Sequence, residues 1–179
     1  MTYQVIRSHR KTLAIQVHPD GRVIVRAPMR MKAAEIRQFV EENRDRIETH
    51  LQQCTAQPPA VPFTQAQLKQ LAAAAKADLP PRVEHYASVL DVDYGRITIR
   101  AQHTRWASCS AAGNLNFNCV LMLCPEEIRD YIVVHELCHR LEMNHSPQFW
   151  AEVERILPDY RNRRKWLKEH GNALIARIP

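Results

Sequence analysis

The sequence predicts a mixed fold of short β-strands and amphipathic helices, and two patterns carry that prediction. Short runs in which β-branched and polar residues alternate fall near the start of the chain and again around residues 96–121, the period-2 signature of strands. Elsewhere apolar residues recur every three or four positions with charges between them, the 3.6-residue period of helices that bury one face. The composition suits a folded chain: 45% of 179 residues are hydrophobic and 25% charged, which excludes wholesale disorder, collagen-like repetition and a coiled coil.

Taken in order, residues 3–8 and 12–18 are rich in β-branched side chains, and the turn His18-Pro19-Asp20-Gly21 leads into the alternating Arg22-Val23-Ile24-Val25-Arg26. A β-hairpin is expected there. From Lys32 to Cys54 the residues Ile36, Phe39, Val40, Ile47 and Leu51 predict one amphipathic helix. The stretch Gln57-Pro58-Pro59-Ala60-Val61-Pro62 breaks the pattern and is the expected linker between residues 1–60 and residues 61–179. Thr64 suits the N-cap of an Ala-rich helix to Leu79. Pro80-Pro81 should stop that helix, with a separate helical stretch up to Leu90.

Gly95 opens the alternating Arg96-Ile97-Thr98-Ile99-Arg100, and two further strands, 103–110 and 114–121, are expected around the Ala111-Ala112-Gly113 turn. Pro125 with Glu126 and Glu127 marks a helix start, since proline fits the first helical position and acids favour the positive end of the helix dipole. Ile128, Tyr131, Ile132, Val133, Val134, Leu137, Cys138 and Leu141 cover so much of that helix that it should be central and buried. Ser146-Pro147 starts a second helix through Phe149 and Trp150, and Pro158-Asp159 a third through Tyr160 and Trp166.

No apolar run approaches the roughly 20 residues that span a bilayer. Arg7, His9, Arg10 and Lys11 interrupt the first stretch, so a cytoplasmic protein with no membrane partner is expected. Five cysteines without a CxxC pair make a poor disulfide framework and a poor zinc ribbon, and reduced thiols are expected. Nine histidines are many for this length, and three of them, His135, His139 and His145, fall within eleven residues.

Inside the predicted central helix stands His135-Glu136-Leu137-Cys138-His139, an HExxH motif. Histidines four apart project from one helical face about 6 Å apart along the axis, within reach of one tetrahedral Zn²⁺. Glu136 points about 100° away, the position of a general base toward the metal's water. Two imidazoles and a carboxylate in the apolar middle of a buried helix need compensation for lost hydration, and a metal supplies it. The alternative is that both histidines hydrogen-bond to backbone carbonyls while Glu136 pairs with an arginine.

The third donor lies between two residues. An uninterrupted helix would carry His145 about 15 Å from His135, too far to join the site, so the helix must end first. Asn144 tolerates the left-handed conformation of helix C-termini and is the expected point of reversal. Glu142 lies on the same helical face but about 10 Å away, an awkward reach for a carboxylate. His145 is the favoured ligand and Glu142 its rival.

Trp106-Ala107-Ser108-Cys109, Gly113, Asn118, Pro125, the run Asp130 to His139, Asn144-His145-Ser146 and Phe149-Trp150 together resemble the YgjP-like metallopeptidase-domain family of the zincin group. Pro158-Asp159-Tyr160 and Trp166-Leu167 continue the similarity. The close match spans about residues 95–170, and Arg10-Lys11-Thr12, Asp20-Gly21 and Ala27-Pro28 extend it weakly toward the start. The resemblance implies an α+β, zincin-like metallopeptidase domain with a small mixed sheet packed on the HExxH helix. It further implies a zinc held by His135, His139 and His145, with Glu136 as catalytic base. This chain has Ala107 where the family usually has glycine and Cys119 where it has an aromatic residue. Some members are described as nucleoside triphosphate (UTP) pyrophosphohydrolases, which makes a nucleotide the alternative to a peptide or protein substrate.

Other residues carry weaker signals. Arg105 could stabilise an oxyanion or phosphate near the metal, or be a solvated strand residue beside a core tryptophan. Cys138 and Tyr131 fit core packing, and His103 stands alone. Arg161, Arg163, Arg164, Lys165 and Lys168 surround Trp166 as a basic run that fits the solvated face of a helix better than a nucleic-acid surface. Residues 111–158 hold three Lys+Arg and seven Asp+Glu, a net −4 in a chain of +6, so the basic balance lies in the flanks. A zinc-dependent peptidase is therefore the expected function. A nucleotide hydrolase comes second, and a nucleic-acid-binding module with a structural metal third.

Overall fold

The computed structural model describes residues 2–17, 21–55 and 61–179, so His18-Pro19-Asp20 of the expected turn and residues 57–60 of the expected linker lie outside the described residues. The architecture is α+β, and the chain divides into two compact units, residues 1–60 and 61–179. Among the described residues, no helix is long and apolar enough to cross a membrane.

In the first unit β3 (Val23–Pro28) is the central strand. It pairs antiparallel with β2 (Ala14–Val17), Ile15 opposite Val25, and parallel with β1 (Gln4–Ser8), Val5 opposite Val25. The first two strands are thus separated by β3. Val23, Val25 and Ala27 pack on Ile36, Val40 and Ile47 of two helices, α1 (Ala33–Glu42) and α2 (Arg44–Thr55). The single helix expected over 32–54 is broken at Asn43. Its side-chain amide donates to the Phe39 carbonyl at 2.8 Å, a local bond that competes with continued helical pairing. The apolar spacing runs through the break and so conceals it.

In the second unit a single helix, α3, runs from Gln65 to Leu90 straight through Pro80 and Pro81. The expected stop is absent. Two prolines remove two helical N–H donors, yet Ala75, Leu79, Val83, Ala87 and Leu90 form an unbroken buried face across them. Burial of that face outweighs the lost bonds, and Arg82 Nε clamps Asp78 one turn back at 2.8 Å. Thr64 and Gln67 form a reciprocal N-terminal cap, and Asp91 ends the helix at φ 54° with the Val92 N–H on the Ala87 carbonyl.

The second sheet has the order β4 (Ile97–Arg100), β6 (Leu115–Asn118), β5 (Ala107–Cys109), with β4 parallel and β5 antiparallel to β6. β5 is therefore an edge strand. Gly113, at φ +75°, makes the turn between β5 and β6. The strand expected over 114–121 stops at Asn118, and Cys119–Leu123 coils into a 3-10 turn whose Val120 N–H donates to Asn118 Oδ1. Asn118 is fully buried, and its amide also donates to the carbonyls of Gln102 (2.7 Å) and Arg105 (2.9 Å), fixing the segment before β5. α4 (Glu126–Cys138) is the central helix, buried along Ile128, Tyr131 to Val134, Leu137 and Cys138. It packs on α3, β5, α5 (Pro147–Ile156) and α6 (Tyr160–Ile175).

Candidate functional site

α4 ends at Cys138, earlier than the sequence pattern indicates, and His139 caps it. The chain then tightens: the N–H groups of Leu141 and Glu142 both meet the Cys138 carbonyl, at 3.0 and 2.9 Å. Asn144 is not the left-handed residue that was expected, since among the described non-glycine residues Asp91 alone has positive φ. Arg140 does the anchoring instead. Its guanidinium holds the Asp93 carbonyl (3.1 Å), the Asp93 carboxylate (2.9 Å) and the Ala111 carbonyl (3.1 Å), tying the segment after α4 to the β5–β6 turn. Gly113 lies against it, where a Cβ would stand 3.0 Å from Arg140 Nε.

The reversal brings His145 back to α4. One ligand atom from each of His135, His139 and His145 lies within 4.8 Å of the others, and Glu142 is not part of that cluster. His145 Nε2 stands 3.0 Å from His135 Nε2. Ser146 caps α5, its hydroxyl accepting from the Phe149 N–H at 3.2 Å, which sets Phe149 under the three imidazoles with ring centroids 4.7 to 4.9 Å away. Trp150 stacks on His145 at 5.7 Å and on Tyr160 at 5.3 Å. The rings are thus fixed by an aromatic floor and wall.

The donor set fits a divalent zinc. Two nitrogens bound tetrahedrally at about 2.0–2.1 Å lie about 3.3 Å apart, close to the His135–His145 spacing. His139 Nδ1 meets the Glu142 carbonyl at 3.1 Å; a carbonyl can only accept, so Nδ1 carries the proton and Nε2 keeps its lone pair. Burial, with the neighbouring His139 and His145, pushes His135 down to about 3, which leaves it neutral as a ligand must be. Its Nδ1 is buried without a partner.

Glu136 is only 6% exposed, beside β5. Burial pushes its carboxyl up to about 8, against the pull of a hydrogen bond from the Cys109 backbone and of the Arg105 charge. It opens, with His135 and His145, onto a cavity of about 840 Å³. Arg105 lines the same cavity, as do Trp106 and Tyr131. Tyr131 is buried with its ring edge on His135 at 5.9 Å, and burial pushes its hydroxyl up to about 12. Cys138 is fully buried core, and His103 is exposed and outside the cluster.

Two cavity residues escape the sequence reading. Arg164 and Lys168 of α6 line the cavity, although the basic run reads as a solvated face. Helical periodicity held part of the signal: Arg164, Leu167, Lys168 and Asn172 follow at three- and four-residue spacing along one face, whereas Arg163 lies off it. α6 comes close because Gly171 has no side chain, where a Cβ would meet Trp106 Cζ2 at 2.8 Å.

The family described as YgjP-like, metallopeptidase domain matches the chain over residues 11–72 and 63–170. No curated protein matches it. Among solved structures, the chain is similar to the metallopeptidase zymogen abylysin of Pyrococcus abyssi, at 24% identity and TM-score 0.47, covering 52% of this chain and 95% of that one. It is likewise similar to the metallopeptidase zymogen jannalysin of Methanocaldococcus jannaschii, at 22% identity and TM-score 0.46, covering 51% of this chain and 95% of that one.

Proposed function

The chain belongs to the YgjP-like metallopeptidase-domain family, and from that premise we propose that it is a zinc-dependent peptidase, with His135, His139 and His145 as metal ligands and Glu136 as general base. The observation that carries this reading is the convergence of three imidazole ligand atoms within 4.8 Å beside a buried carboxyl that opens onto the same cavity. Three ligands leave one tetrahedral position open, the arrangement of catalytic zinc sites and not of structural ones. When bound, the zinc polarises a substrate oxygen and makes a water acidic enough to lose its proton near neutral pH.

The chain's own residues do the rest. Glu136, a stronger base when ionised because burial pushes its carboxyl up, takes that proton on a carboxylate oxygen and returns it to the amide nitrogen as the C–N bond breaks. Water is added across the amide, its oxygen to the carbonyl carbon and its proton by way of Glu136 to the nitrogen, so the products are a carboxylate and an amine. The Glu142 carbonyl keeps His139 in the tautomer that presents Nε2. The outer edge of β5, next to Glu136, offers backbone groups to a substrate strand, which favours a peptide.

Zinc content and hydrolysis of an unstructured protein test the reading together. His145→Ala should lose zinc and activity, and Glu142→Ala should keep both. Zinc retained by His145→Ala but lost by Glu142→Ala would reverse the ligand assignment.

A further inference from the structure

The cations of α6 fall into two groups. Arg161, Arg163 and Lys165 each have a carboxylate partner: Glu154 at 3.3 Å, Asp159 at 2.9 Å and Glu169 at 3.9 Å. Arg164 and Lys168 face the cavity and, like Arg105 on its other wall, make no ion pair among the described residues. Arg164 lies over the Trp150 ring at 4.7 Å, and its charge bears on His135, His145 and Tyr131. The cavity wall therefore carries three cations against one carboxyl, Glu136, before any metal adds its charge.

Such an excess of positive charge draws negatively charged ligands toward the cavity. The other α6 cations have carboxylate partners, that of Arg161 on α5 and those of Arg163 and Lys165 one turn away, whereas the exposed Arg105, Arg164 and Lys168 are open to an external anion. The lining decides which anion fits. It includes the apolar and aromatic faces of Trp106, Ile132, Trp150 and Leu167. It contains no glycine, so it lacks the open backbone loop that cradles a polyphosphate. An arginine fork beside a lysine in an apolar, aromatic cleft matches a carboxylate carried on a peptide.

Resting on the peptidase reading, we propose that Arg105, Arg164 and Lys168 form a carboxylate-recognition subsite, and that the preferred substrates are peptides presenting a carboxylate beside the scissile bond. The carboxylate comes from either an acidic side chain or a free C-terminus. These residues set specificity and take no part in proton transfer.

The test uses one peptide sequence in four forms: free C-terminus, amidated C-terminus, and each with its glutamates changed to glutamine. Binding of labelled peptides to zinc-loaded Glu136→Gln protein is measured apart from cleavage by the zinc-loaded wild type. The expected result is tighter binding and higher kcat/KM by about 10-fold or more for carboxylate-bearing forms, as one charge-assisted hydrogen bond provides. Loss of the preference on amidation assigns the C-terminus as the source, and loss on Glu→Gln the side chain. Arg164→Gln with Lys168→Gln should erase the preference through KM, bringing carboxylate-bearing and neutral forms to the same kcat/KM within the variant. Equal binding of all four forms, or an unchanged preference in the double variant, overturns the subsite. So does displacement of the bound peptide by a nucleoside triphosphate at concentrations where a carboxylate-bearing peptide competes poorly. Carboxylate-dependent binding without cleavage of any form would instead support the subsite and count against the peptidase reading.

Discussion

α4 carries a cluster of ionisable side chains at each end, and the two are built on opposite terms. At its N-terminal end Arg82 of α3 bonds three carboxylates, Asp78 (2.8 Å), Asp130 (2.6 Å) and Glu126, while Arg129 reaches Asp78 at 2.8 Å. Every charge there has an opposite partner. At the C-terminal end, among the described residues, no group of the site has an ion-pair partner: the buried Glu136 carboxyl has the Cys109 backbone bond alone, His135 Nδ1 is orphaned, and the cavity cations have no counterion within salt-bridge distance. A mutually paired cluster on a buried helix holds elements together, whereas unpaired groups in a cleft are candidates for binding.

The largest expected effects separate the two ends by what each loses. Glu136→Gln should cut hydrolysis by about 10²- to 10⁴-fold, the usual contribution of a general base, and keep zinc. Thermal unfolding of the metal-free variant should occur no lower than in the wild type, because the change removes a buried ionisable group and keeps its shape. A large fall in Tm would place Glu136 among the structural charges and break the distinction.

Arg82→Met should do the reverse. It leaves Asp130 and Glu126 without their arginine and Asp78 with Arg129 alone, and the cost should be about 2–3 kcal/mol, below that of a fully buried pair because the network is partly solvated. Denaturant unfolding measures it. The kcat per folded, zinc-loaded molecule should stay within about 2-fold, since the network lies at the other end of α4. A matching loss of kcat would mean that the N-terminal network also positions the site.

The two ends differ in how legible they were. His135, Glu136 and His139 could be read from spacing alone, because a helix converts i and i+4 into neighbours whatever packs around it. The return of His145 followed from the need for the helix to end, although the expected device at Asn144 was the wrong one; an early end at Cys138 and the Arg140 anchor achieve it. The N-terminal network stayed hidden because it joins residues about fifty positions apart. Pro80 and Pro81 even argued against a single helix carrying both Asp78 and Arg82, since local propensity does not register the buried face that carries α3 through them. Arg164 and Lys168 were visible as charges but not as cavity residues, because which side of α6 faces the site depends on its approach at Gly171.

That approach offers a smaller test within the C-terminal end. Gly171→Ala puts a methyl 2.8 Å from Trp106 Cζ2, so ring or helix must shift. Overpacking of this kind costs about 1–3 kcal/mol, and the low end is expected because Trp106 is only half-buried. Trp106 and Arg164 share the cavity wall, so KM should rise more than kcat falls. An unchanged Tm and KM would show that α6 is not held where Gly171 lets it approach.

The smallest effect sharpens the other end through pH. Burial pushes the Asp78 carboxyl up, but its bonds to Arg82 and the charge of Arg129 outweigh this and hold it below the usual carboxylate range. Arg82 lowers Glu126 in the same way. A folded pKa below the unfolded one gives stability that is present above about pH 4 and lost as pH falls through the folded value. The Tm gap between wild type and Asp78→Asn, both metal-free, should therefore be constant from pH 7 to about pH 5 and shrink below about pH 4. Taking the difference cancels acid effects common to both proteins, protonation of His135 included, so the shrinkage reports the network alone. A gap that stayed constant into acid would mean that Asp78 contributes through packing and hydrogen-bond geometry without its charge, and the N-terminal cluster would no longer stand as the ion-paired counterpart of the site.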